Sequence, residues 1–218
     1  ESFAAAHAVF EEVDAALNQK LSALMWEGPE ADLTLTENAQ PALMAVSMAV
    51  IRVLEAEHGI TVANTAKFVA GHSLGEYSAL AAAGTFSLAD AARLLKTRGQ
   101  AMQSATPVGT GAMSAILGLD AAVVREVCAQ VAKDTGEVVE AVNFNDPKQT
   151  VIAGSKGGVE QAMEALKAAG AKRALPLPVS APFHSSLMKP AAERLREKLA
   201  AVSFQPAAFS VVNNIDVA

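Results

Sequence analysis

The stretch "FVAGHSLGEYSAL", Phe68 to Leu80, decides how this chain is read. A β-branched and aromatic run meets Gly-His-Ser-Leu-Gly, and a helix-forming Ala/Leu segment follows at once. Strand, sharp turn and helix form the setting in which Gly-x-Ser-x-Gly presents a nucleophile. In so tight a turn flanking side chains would collide, which accounts for Gly71 and Gly75. The turn projects the Ser73 hydroxyl outward, at the positive end of the helix. There the N–H of Leu74 can stabilise negative charge developing on a substrate oxygen. The competing reading is a structural turn whose serine only caps the helix. His72 fills the variable position; adjacent residues on such a turn diverge, so it does not read as the base.

The 218 residues are 51% apolar, enough to bury one large core or two unequal ones. A net charge of −6, with no Lys/Arg stripe interleaved with aromatics, excludes a nucleic-acid footprint. The longest uncharged apolar run, Asn38 to Ile51, is too short to span a bilayer, and Arg52, Glu55 and Glu57 follow on the same helix. No membrane association is expected. Cys128 is the only cysteine, which rules out a disulfide framework and fits a reducing compartment, the cytoplasm by default. It reads as a small buried apolar residue. The chain opens at Glu1 with no Met, inside what reads as a helix, so further sequence is expected upstream.

Phe3, Val9, Phe10, Val13 and Leu17 recur at helical spacing between Ser2 and Leu24. In "ENAQPALMAVSMAVIRVLEAEHG" Pro41 suits a first helical turn and Gly59 the position past the end. "SLADAARLLKTRGQAMQSA" opens with Ser87 and Asp90 at capping-box spacing. From Gly109 the rhythm changes to strand, helix, two strands, helix, strand. That βαββαβ order is the ferredoxin-like unit. It reads as a small subdomain, 109–179, inserted into a larger α/β one made of 1–108 and 180–218.

Of the four histidines, His7 reads as a helix-surface residue and His58 as a cation at a helix C-terminus. His184 differs. It lies in "PLPVSAPFHSS", a loop stiffened by Pro176, Pro178 and Pro182, where a general base can be held still. Arg98 is the sharper oddity, because it falls within the apolar stripe of Ala91, Leu94, Leu95, Met102 and Ala105. An inward guanidinium needs an anion. The partner is either a structural carboxylate or a carboxylate on the substrate, which the planar fork can hold through two parallel bonds.

"GHSLGEYSAL", "TRGQAM", "GTGAMSAILGL", "NFNDPKQTVIAG", "ALPLPVSAPFHSSLMKPAAERL" and "VVNNIDV" follow one another in that order. Together they resemble the malonyl-CoA:acyl-carrier-protein transacylases, stand-alone bacterial enzymes of fatty-acid synthesis, across essentially the whole chain. The resemblance implies an α/β-hydrolase-like core with an inserted ferredoxin-like subdomain. It implies Ser73 as nucleophile, Leu74 as one oxyanion donor, His184 as base and Arg98 as holder of the malonyl carboxylate. Asn143 and Asn145 match asparagines facing the active-site cleft, although strand-end hydrogen bonding weighs equally for both. Met102, in the arginine's motif, and Phe183, a bulky residue preceding the histidine, complete the substrate-binding candidates; Phe183 leans towards malonyl over methylmalonyl. The implied chemistry is ping-pong, with malonyl-CoA as substrate, acyl carrier protein as partner, and no metal or tightly bound cofactor. A monomer is expected.

Two departures stand out. The "GQGSQ"-type loop that supplies the family's second oxyanion donor has no match, and the family continues beyond "VVNNIDV" to a group that orients the histidine. The chain therefore reads as part of a longer enzyme. An acidic carrier protein needs a local basic patch on a net negative chain, and Lys96, Lys172, Arg173 and Lys189 are its candidates. Three rival readings remain: an excised polyketide-synthase acyltransferase domain, a non-catalytic carrier-binding module, and a serine hydrolase. The hydrolase would use Asp120, Asp134 or Asp146 ahead of His184 in the order Ser, Asp, His.

Overall fold

Asn18 determines how the chain begins. The segment expected as one helix from Ser2 to Leu24 is two in the structure, a computed structural model that describes residues 3–107, 109–179 and 181–217. Helix α1 (Ala4–Leu17) ends because Asn18 turns left-handed at φ 47°, a conformation asparagine tolerates. Helix α2 (Leu21–Glu27) then starts afresh, followed by the short α3 (Glu30–Leu33). Helix α4 (Thr36–His58) opens earlier than Pro41 suggested, so the proline stands inside it and denies the Glu37 carbonyl its helical donor. It stops at Gly59, φ 64°, as expected. A single turn, α5 (Val62–Thr65), leads to β1 (Phe68–Ala70), α6 (Gly75–Ala82) and α7 (Leu88–Ala105). At the start of α7 the Ser87 hydroxyl accepts the Asp90 N–H at 3.0 Å and donates to the Asp90 carboxylate at 2.8 Å.

The predicted change of rhythm is real. Strand β2 (Gly111–Leu117), α8 (Ala121–Thr135), β3 (Val139–Asp146), β4 (Gln149–Ser155), α9 (Lys156–Ala168) and β5 (Arg173–Pro176) build an antiparallel sheet of order β3-β4-β2-β5. This is the ferredoxin-like arrangement, with β4 inserted between the two strands that α8 connects. Helix α10 (Lys189–Ala200) and β6 (Ser210–Val212) close the chain. β6 pairs in parallel with β1, placing Ala70 opposite Val212. The result is an α/β fold with one parallel and one antiparallel sheet.

Two compact units emerge: Glu1–Gln100 with Leu195–Ala218, and Ala101–Arg194. The second is wider than the 109–179 insertion expected, because Ala101 and Met102 pack with Ala181, Met188 and Ala191. Val108 and Ser180, where the sequence-based boundaries fall, lie outside the described residues, as do Glu1, Ser2 and Ala218. In the first unit Val9, Val13, Met44, Ala45, Met48, Leu94 and Leu95 form the core. By length and composition α4 is long and apolar enough to cross a membrane, 23 residues against the shorter uncharged run, but Met44 and Ala45 are fully buried within this core.

In the second unit Ile116, Val124, Cys128, Ile152, Val159 and Leu166 fill the layer between the sheet and its two helices. Cys128 is 2% exposed, and burial pushes its thiol up to about 12. Almost none of it is thiolate at pH 8, so a disulfide reagent should leave the native protein unlabelled and modify one thiol only after denaturation. Rapid stoichiometric labelling of folded protein would contradict this placement.

Candidate active site

The turn after β1 is strained at the serine itself. Ser73 adopts φ 53°, left-handed and disfavoured for a residue with a side chain. Helix α6 opens with Gly75 N–H donating to the His72 carbonyl at 2.9 Å, Glu76 N–H to Ser73 at 3.2 Å and Tyr77 N–H to Leu74 at 3.1 Å. The N–H of Leu74 stands outside this ladder. Of the two glycines only Gly71 is demanded by space: a Cβ there would lie 1.9 Å from the Gly75 carbonyl, whereas one on Gly75 meets nothing within 4 Å. The expectation that both relieve collisions is thus half corrected. Gly71→Ala should cost at least the about 1–3 kcal/mol of an overpacked site, a fall of roughly 2–4 °C per kcal/mol. Gly75→Ala should melt close to the parent, and equal melting of the two variants would contradict the geometry.

Arg98 does face inward, from α7. Its Nη1 donates to Gln40 Oε1 at 2.6 Å and its Nη2 to Ser73 Oγ at 3.0 Å, with Cζ 5.8 Å from the Tyr77 ring centroid. Helix α7 comes this close to α4 because Gly99 has no side chain; a Cβ would sit 2.4 Å from Glu37 Cα. Among the described residues no carboxylate ion-pairs with Arg98. The structural-carboxylate alternative finds no partner among these residues. Burial lowers the guanidinium's pKa from its ordinary value, against smaller opposing contributions from Tyr77 and Glu76. Burial likewise raises the Tyr77 phenol, with Arg98 opposing it.

Residues the sequence reading passed over complete the first unit's site. Gln40, 3% exposed, was legible as an amide at the head of an apolar helix. Asn214 lay inside the "VVNNIDV" motif with no role assigned. Its Oδ1 accepts the Ser73 N–H at 3.0 Å, and its Nδ2 donates to the Gly71 carbonyl at 2.7 Å and to Glu76 Oε2.

The second unit holds the other candidates. His184 is exposed at φ 65°, between buried Pro182 and buried Ser185. The Ser185 hydroxyl donates to the Pro182 carbonyl at 2.7 Å, and the Ser186 N–H donates to Glu140 Oε2 at 2.6 Å. Glu140 on β3, another residue the sequence did not flag, anchors the loop through that charge-assisted bond. Phe183 packs on two sides, against Met102, Ala181 and Met188 and against Met113 and Val151. Met102 is 7% exposed and is a packing residue of the first of these clusters. Asn143 and Asn145 lie on β3, one of the two outer strands of the sheet, where its register shifts between Ala141 and Asn143 and again between Phe144 and Asp146. Asn143 is half-buried and Asn145 exposed.

The acids of the hydrolase reading are engaged locally. Asp120 meets Lys148 Nζ at 2.7 Å, Asp134 accepts from Gln130 at 2.7 Å, and Asp146 accepts the Lys148 N–H at 2.9 Å. Lys96 leaves the proposed basic patch, because its Nζ is committed to Glu37 at 3.2 Å and to Asn38 at 2.8 Å. Lys172, Arg173 and Lys189 remain exposed. Among the described residues no group of three His, Cys, Asp or Glu is arranged to hold a metal.

The family model described as "Acyl transferase domain" matches residues 1–215. The malonyl CoA-acyl carrier protein transacylase of Escherichia coli (strain K12) is 52% identical over 208 residues, 95% of this chain and 65% of the relative. The chain thus spans less than two thirds of the length of that relative. The crystal structure of an acyl-carrier-protein-S-malonyltransferase from Bartonella henselae is similar with a TM-score of 0.94 at 55% identity, covering 99% of this chain and 68% of that one. A malonyl-transacylase solved in complex with its type II polyketide-synthase acyl-carrier protein is similar with a TM-score of 0.94 at 48% identity, covering 100% and 68%. With a serine at a strained strand-to-helix turn, an inward arginine against its hydroxyl and a family match along nearly its full length, this chain belongs to the acyl transferase domain family.

Proposed function

We propose that this chain carries the nucleophile and the acyl-selecting arginine of a malonyl-CoA:acyl-carrier-protein transacylase. The observation that carries the reading is Arg98, a guanidinium without a carboxylate partner among the described residues, donating to Ser73 Oγ at 3.0 Å. An acyl group on that oxygen whose own carboxylate is to reach the same fork must be short. Malonyl, with one methylene between carbonyl and carboxylate, has that length and supplies the missing anion.

In the first half-reaction His184 takes the Ser73 proton and Oγ bonds to the thioester carbonyl carbon. The oxyanion rests on the Leu74 N–H, the C–S bond breaks, and CoA leaves with the proton. In the second, the phosphopantetheine thiol of an acyl carrier protein attacks the serine ester by the reverse path. The roles of His184 and Leu74 come from the family resemblance, as do the substrate-side roles of Asn143, Asn145, Phe183 and Met102. A metal-free reaction by a cytoplasmic monomer is part of the same reading.

The test is transfer. Incubated at its full natural length with malonyl-CoA, the protein should move the malonyl group to a holo carrier protein and leave the apo form, which lacks the thiol, unmodified. CoA release with no carrier adduct would favour the hydrolase instead. Charge reversal at Lys172, Arg173 and Lys189 should raise the carrier protein's KM while sparing malonyl loading.

A further inference from the structure

We propose that Asn214 is a positioning residue for Ser73, holding the strained turn around the nucleophile without touching substrate. The proposal rests on Ser73 being the acyl-carrying nucleophile. A left-handed φ at a non-glycine residue persists only where the surroundings impose it, and Ser73 has φ 53°. Beside the opening bonds of α6, one side-chain amide spans the turn: it accepts the Ser73 N–H at 3.0 Å and donates to the Gly71 carbonyl at 2.7 Å. Its orientation follows from its partners, since an N–H needs an oxygen and a carbonyl needs a donor.

Asn214 is fixed in turn by the helix that Ser73 precedes. Glu76, in the first turn of α6, accepts from the Asn214 side chain and, at 2.9 Å, from its backbone N–H. The pairing of β6 with β1 brings Asn214 here, two residues past the register position of Val212 opposite Ala70. With the Ser73 N–H occupied, the Leu74 N–H, which stands outside the α6 ladder, is the donor left to face a substrate oxygen.

The experiment uses Asn214→Ala, Asn214→Asp and Asn214→Asp/Glu76→Gln in the protein at its full natural length, with two probes. A fluorophosphonate reports nucleophile activation whatever the natural substrate: a bond forms from Oγ to phosphorus, the P–F bond breaks and the serine proton departs. Single-turnover malonyl-CoA loading reports the proposed chemistry. Asn214→Ala should slow both by about 10- to 100-fold, the scale of a misplaced reacting group, with the malonyl-CoA KM within about two-fold and the midpoints of the pH profile unmoved. Asn214→Asp turns the donor face into a charge beside Glu76 and should be slower still. Adding Glu76→Gln restores a donor and should recover part of the rate; this pair carries the test if Asn214→Ala does not fold.

Parental rates in Asn214→Ala, a loss confined to KM, or no recovery by Glu76→Gln would overturn the proposal. If the parent reacts with fluorophosphonate but not with malonyl-CoA, the substrate reading fails and Asn214 is judged on fluorophosphonate rates. If the parent reacts with neither, there is no activated serine to position, and the proposal falls.

Discussion

Ser73→Ala should abolish the covalent acyl-protein and lower turnover by at least three orders of magnitude, on the scale of about 10⁶ found when a serine nucleophile is removed. The expectation follows from the turn. Ser73 is placed by strand, strained φ and helix start together, and its hydroxyl already receives Arg98 Nη2 at 3.0 Å. A serine serving only as a helix cap would instead cost about 1 kcal/mol of stability on removal. A companion variant separates strain from chemistry. Ser73→Gly, equally inactive, should melt above Ser73→Ala, because glycine adopts φ 53° without the penalty of roughly 1–2 kcal/mol borne by a residue with a Cβ. Equal melting temperatures would mean that the turn stores no such strain.

Arg98 carries the second large effect. Each hydrogen bond from a charged donor is worth about 1.5–3 kcal/mol. Losing two to the malonyl carboxylate should therefore reduce kcat/KM for malonyl-CoA by roughly 10²- to 10⁴-fold at about 1.4 kcal/mol per decade. Acetyl-CoA offers no carboxylate, so its slow reaction should be little changed and the malonyl preference should collapse. Arg98→Lys should fall between, since an ammonium keeps the charge but loses the fork. Stability should move much less than activity. Burial lowers the guanidinium's pKa, so the fold disfavours the charge it holds. Arg98→Met relieves that cost but takes one donor from the buried Gln40 Oε1, a loss of about 1–3 kcal/mol, so it should melt near the parent temperature. Steady-state kinetics beside calorimetry on the same samples checks both halves, and a variant that lost stability while keeping malonyl preference would show Arg98 to be structural.

What the sequence disclosed and what it hid divide along contact range. The elbow, the βαββαβ unit and the inward arginine were legible because each is a local pattern: a five-residue motif, alternating periodicity, one charge within a helical stripe. Asn214 was not. It meets Ser73 across 141 positions, through a strand pairing that no local periodicity encodes. Glu140, 46 positions from the Ser186 N–H it accepts, was hidden for the same reason. Gly75 shows the opposite error, because the motif treats its two glycines alike while the packing requires only Gly71. Lys96 was counted as a surface cation since nothing in its helix marks the Glu37 and Asn38 side chains it reaches on α4.

The most direct measurement of the central claim is intact mass after brief incubation with malonyl-CoA, beside acetyl-CoA, for the protein at its full natural length and its Ser73→Ala variant. The account predicts one malonyl group gained, mapped to Ser73, with little or no acetyl adduct and none on Ser73→Ala. Equal malonyl and acetyl labelling, an adduct surviving in Ser73→Ala, or CoA released with no adduct would contradict it.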